Sequence, residues 1–190
     1  MRALGSTLVV ILLAAGLTLI GYARWSGSLR DADIALAEGR TEQAIAAYQT
    51  AESRFDTVPA VKQLVSREYN RAVANHLLAL YRLKRYDEVI DLAQKAPAES
   101  SPHFWSACAF FQKANVEEKP EARLGWLTRA EEEFRKAVED APDDWDTKYD
   151  FELTTRVSAE LRKQPNTPPK QLMQLLRPTT PGAKTPRRTG

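Results

Sequence analysis

At 190 residues, 43% apolar and 27% charged, the chain has room for one modest domain with attached segments. A formal charge of +2, with acidic and basic residues interleaved everywhere except at the extreme C-terminus, gives no electrostatic case for nucleic acid. The single cysteine, Cys108, excludes an intrachain disulfide framework and a cysteine-rich metal site. Its place in the apolar run Phe104 to Phe111 predicts a buried, inert thiol.

Ala3 to Ala23 holds no charged residue. As a helix it would be about 30 Å long, the thickness of a bilayer's hydrocarbon core. Arg2 precedes it, and Arg24, Trp25 and Arg30 follow, an interfacial pattern. Residues 1–25 therefore read as a transmembrane signal anchor. Its short positive start predicts a cytoplasmic N-terminus, a single pass through a bacterial inner membrane and a periplasmic C-terminal domain. The alternative is a cleaved signal peptide with Gly21-Tyr22-Ala23 as the small-x-small site; the apolar run is longer than most such cores.

Residues 26–163 read as an all-α stack of about three antiparallel helical hairpins plus a capping helix. Leu29, Ala32 and Leu36 have helical spacing up to Gly39, which ends that helix at low steric cost. Thr41 is placed to cap a second helix running to about Phe55, with Ala44, Tyr48 and Ala51 on one face. Asp56-Thr57-Val58-Pro59 signals a turn. A longer helix, about Ala60 to Lys84, carries Tyr69, Val73, Leu77 and Leu80; after a tight turn without glycine its partner spans about Asp87 to Ala96 and stops at Pro97.

Ser101-Pro102 starts the next helix, with Phe104, Trp105, Cys108 and Phe111 as its bulky apolar surface. Asn115 to Glu121 reads as a long connection. Ala122 to Asp140 follows, with Leu127, Ala130, Phe134, Ala137 and Val138 on one side and Pro142 as the stop. Asp143-Asp144 offers capping carboxylates. Trp145, Tyr149, Leu153, Val157 and Leu161 then recur at steps of four on a last helix without an apparent partner, read as the cap of the stack. From Gln164 to Gly190 prolines crowd a basic, apolar-poor tail, whose composition predicts disorder.

Chemistry needs converging groups, and the sequence offers few. His76 and His103 have no histidine or cysteine partner at ligand spacing, so packing or surface roles are expected, with no metal and no cofactor. No glycine loop suited to phosphate is present. Glu131-Glu132-Glu133 and Asp140 with Asp143-Asp144 read as solvated helix surface. The better candidate is a polar stripe of Arg67, Arg71 and Asn75, four residues apart and away from Tyr69, Val73 and Leu77, with Arg82 beyond. Arginine and asparagine in that position suit a partner's carboxylates and backbone. An ordinary solvated face is the alternative.

The hairpin pattern resembles tetratricopeptide repeats. That family's roughly 34-residue unit places small residues in both helices, an aromatic in the second and a proline near its end. The matching positions are Gly39, Ala44, Tyr48 and Ala51; then Tyr86, Val89, Ala93 and Ala96; then Ala130, Phe134, Ala137 and Pro142. Val89 stands where the family has a small residue, and Pro59 falls a few positions late. The resemblance covers about Leu29 to Lys163 and implies a binding scaffold without specifying what is bound. One span, a few such repeats, the segment Asp144 to Leu153 and a proline-rich tail also look like MxaK-like accessory proteins encoded beside MoxR-type ATPases and von Willebrand factor A proteins. That resemblance implies help in assembling or maturing a periplasmic partner, with methanol dehydrogenase as the case linked to MxaK. It makes components of such a system candidate partners. Two other readings stay open: a structural subunit of an envelope secretion or division machine, and a metal carrier or enzyme within the helical domain.

Overall fold

The computed structural model describes residues 13, 16, 27–57, 62–63 and 65–163. The described chain is all-α, without a strand. Its helices are α1 (27–37), α2 (Thr41–Thr57), α3 (Ser66–Arg82), α4 (Tyr86–Ala93), α5 (Pro102–Val116), α6 (Pro120–Asp140) and α7 (Trp145–Lys163), with a 3-10 turn at Ala98–Ser100. No helix among the described residues is long and apolar enough to cross a membrane. The expected span, Ala3 to Ala23, lies outside them except for Leu13 and Gly16, as does the tail from Gln164. The chain divides into two compact units between Ala109 and Phe110, inside α5.

In the first unit, α1 buries Leu29, Ala32, Ala35 and Leu36. Its end is a Schellman motif. Arg40 N–H donates to Ala35 C=O at 2.8 Å and Gly39 N–H to Leu36 C=O at 3.2 Å, with Gly39 at φ +77°. Thr41 is not a cap, contrary to expectation: it is the first residue of α2, and its hydroxyl donates back to Gly39 C=O at 3.3 Å. Ala44, Ile45, Tyr48, Ala51 and Phe55 form the buried face of α2, which packs against α3. Phe55 meets the edge of Tyr69 at 4.9 Å.

The α3–α4 hairpin closes in the same way. Arg85 N–H donates to Leu80 C=O at 3.0 Å and Lys84 N–H to Tyr81 C=O at 2.9 Å, with Lys84 at φ +60°. The tight turn foreseen just ahead of Asp87 falls a residue or two earlier, because the left-handed residue is Lys84 and Tyr86 already belongs to α4. α4 is shorter than expected. The bonds of Lys95 to Leu92 and Ala96 to Ala93 tighten its last turn, and Pro97 is extended. Proline forces its predecessor out of the helical region. Tyr81 sits 5.7 Å from both Tyr86 and Trp105, and Val89 and Ala93 are buried.

In the second unit, residues 110–116 of α5, α6 and α7 surround Ala114, Leu127, Val157 and Leu161. Phe110 stacks on Trp126 at 5.9 Å. Ala130, Phe134 and Ala137 are buried along α6. The connection from α5 to α6 is shorter than foreseen, only residues 117–119. Pro120 is accepted in the first turn, where its missing N–H costs nothing, so it starts α6. Buried Arg123 closes that loop, donating to Glu117 C=O at 2.9 Å and Glu118 C=O at 3.3 Å.

Asp144 does cap α7, accepting from Asp146 N–H at 3.0 Å and Thr147 O–H at 2.7 Å. The Thr147 bond is the main reason its carboxyl is held below the usual range. α7 has a partner after all, packing along α6. Its inward line is Thr147, Thr154, Val157, Ser158 and Leu161, so Val157 and Leu161 of the expected stripe are buried while Trp145 and Tyr149 face out. A step of four residues advances about 400° around a helix of 3.6 residues per turn, so a four-step stripe drifts about 40° each time. Over the length of α7 that drift carries Trp145 off the buried face. Cys108 is half-buried, not enclosed, and the aromatics beside it share that partial exposure.

Candidate docking surface

The stripe residues lie on α3, whose opposite face supplies Val73, Leu77 and Leu80 to the core. Arg67 and Arg71 are exposed and, with Ser66, Asn70 and Ala74, line a hollow of about 740 Å³ that also receives Glu68 and Glu99. Asn70 leans across it, its amide nitrogen 3.4 Å from Glu99. Asn75 is half-buried one turn further on, and Arg82, exposed at the C-terminal end of α3, does not line the hollow.

Arg71 also reaches Asp33 of α1, which the stripe did not reveal. Its Oδ1 accepts from Tyr48 O–H at 2.6 Å and from Asn75 Nδ2–H at 3.0 Å; its Oδ2 accepts from Arg71 Nη2–H at 3.2 Å. One carboxylate thus ties α1, α2 and α3 together and holds one edge of the Arg71 guanidinium. Burial, then the neighbouring Asp33, pushes the Tyr48 phenol well above its ordinary value, so it stays a donor. Charge-assisted bonds of this kind are stronger than neutral ones. The sequence does carry a trace of Asp33: with Asp31, it is one of two carboxylates beside the buried stripe Leu29, Ala32, Leu36.

A second buried contact lies next to it. His76 is 3% exposed, with Nδ1 2.9 Å from Glu52 and its ring stacked 6.2 Å from that of Tyr48. Its Nε2 has no hydrogen-bond partner among the described residues. His103, near the start of α5, is half-buried. No set of three or more histidine, cysteine or acidic side chains among the described residues is arranged to hold a metal. The acidic run on α6 is engaged with cations: Glu133 with Lys136 at 2.7 Å, Glu131 with Arg162 at 3.5 Å.

The arrangement can make charge-assisted hydrogen bonds to acidic groups. Two guanidinium groups stand on one helix at the rim of an open hollow, one of them oriented by the half-buried Asp33 carboxylate. Glu68 and Glu99 beside them add hydrogen-bond acceptors to the same lining. Compared with known proteins, the chain matches no family model, no curated protein and no solved structure.

Proposed function

We propose that the chain is a membrane-anchored, tetratricopeptide-like interaction scaffold, and that Arg67 and Arg71 hold carboxylates of a partner protein. The uncharged Ala3–Ala23 run supports the anchor, and the doubled Schellman-closed hairpins of α1–α4 support the repeat character. The observation that carries the binding role is the hollow beside α3, with Arg71 braced on Asp33. In an MxaK-like setting the partner is a periplasmic protein under assembly or maturation, or a MoxR-type or von Willebrand factor A-type component of the same system.

The test is co-purification from crosslinked membranes. The double variant Arg67→Glu/Arg71→Glu, whose substitutions are both at exposed positions, loses the partner captured by the unaltered chain and keeps its helical content by circular dichroism. Capture falls with rising salt, because the contact is electrostatic and solvent-accessible. Recovery of the same partner at the same yield by the double variant refutes the role of this surface.

A further inference from the structure

Trp145 and Tyr149 stand one turn apart on α7, 77% and 64% exposed, the exposed aromatics among the described residues. Exposed aromatic pairs of this kind are a recurrent feature of contact surfaces. The ring of Trp145 already receives a cation, Lys148 Nζ at 4.7 Å from its centroid. Around it the surface is acidic. Asp140, Asp143 and Asp146 are exposed. On the next turn the carboxyl of Asp150 is pushed up, first by desolvation and then by Asp146 and Asp144. Residues 120–163 carry twelve acidic against eight basic side chains, a formal charge of −4.

The chain beyond Lys163 has the opposite character. Residues 164–190 carry Lys170, Arg177, Lys184, Arg187 and Arg188 and no aspartate or glutamate. The reach also fits. Along α7, Lys163 is about 27 Å from Trp145 at 1.5 Å per residue. The square-root law gives a coil of the length that separates Lys163 from Arg187 in the sequence a root-mean-square span of about 27 Å. Effective concentration is highest when linker span and site separation agree.

We propose that the exposed Trp145–Tyr149 face of α7 is the intramolecular docking site of the chain's own basic C-terminal segment, Lys184 to Arg188. Arginine side chains stack on the two rings, and the surrounding aspartates supply the complementary charge.

The test uses the full chain in nanodiscs of neutral phosphatidylcholine, with a benzophenone amino acid in place of Tyr149. After irradiation at low protein concentration and digestion, the expected adduct is intramolecular and maps to residues 178–190. Its yield falls at least fivefold in 0.5 M salt and in Arg187→Glu/Arg188→Glu, and returns when Asp140→Lys/Asp143→Lys is added. Adducts that map to other segments, arise only between chains or only with lipid, or ignore the charge reversals overturn the proposal. All four charge changes are at exposed or terminal positions, and a circular dichroism melt on each variant keeps misfolding distinguishable from lost docking.

Discussion

The hairpins α1–α2 and α3–α4 end their first helices with the same pair of backbone bonds, yet fill the following helix differently. Counting from Arg40 and Arg85, which make the equivalent bonds, the position of Tyr48 in α2 is that of Ala93 in α4. The first hairpin buries a ring whose hydroxyl reaches Asp33; the second buries a methyl group. The turn residues differ too, Gly39 against Lys84, both left-handed. Backbone geometry is shared, whereas only the first hairpin carries a hydroxyl at this position, and through it Asp33 and Tyr48 join Arg71 and Asn75 of α3 in one polar hub.

The largest way to break that difference is Tyr48→Ala, which removes a fully buried ring and leaves Asp33 a donor short. It should cost about 3–5 kcal/mol in chemical denaturation, as large-to-small changes of aromatic residues do. Ala93→Gly, the matching change in the second hairpin, should cost about 1 kcal/mol, the ordinary helix penalty of glycine. Tyr48→Phe separates hub from packing: it keeps the ring, loses one hydrogen bond to a charged acceptor and should cost about 1.5–3 kcal/mol. If Tyr48→Phe proves as costly as Tyr48→Ala, the hub rather than the ring dominates the first hairpin.

The turns sharpen the comparison with opposite signs. A Cβ at Gly39 meets nothing within 4 Å, so Gly39→Ala tests backbone strain alone and should lose about 1 kcal/mol. Lys84→Gly should gain about the same, since it relieves a left-handed lysine. Matching signs would mean that the two turns are not equivalent.

The smallest effect is expected on α7, where two carboxylates act in opposite directions. Asp144, held low by its capping bonds, contributes stability that is present above the unfolded carboxylate range and is lost as pH falls through its folded value. Asp150, held high by desolvation and its neighbours, is favourable when protonated and loses that contribution as pH rises. Asp150→Asn should therefore raise the Tm at pH 7 and lose the advantage near pH 3. A thermal melt series across that interval checks both the size and the sign.

Much of the helical order is readable from spacing. Ala44, Tyr48 and Ala51 fall at intervals that suit 3.6 residues per turn, and all three are buried. Gly39 announces its turn because glycine adopts positive φ freely; Lys84 does not, since lysine rarely stands there, and the hairpin had to be inferred from its flanks. The α7 stripe misled because steps of four look regular in a sequence and drift on a helix. Of the surface residues, Arg67 and Arg71 could be found from their shared face, but Asp33 could not be paired with Arg71. They lie 38 residues apart, and nothing local ties one to the other.

The account rests most directly on what touches the hollow beside α3. A photo-crosslinking residue at Asn70, between Arg67 and Arg71, should capture in native membranes a protein segment rich in aspartate or glutamate. Arg71→Glu should abolish that adduct in a chain that still folds. Adducts that are unchanged by Arg71→Glu, or that form only with lipid, would contradict it.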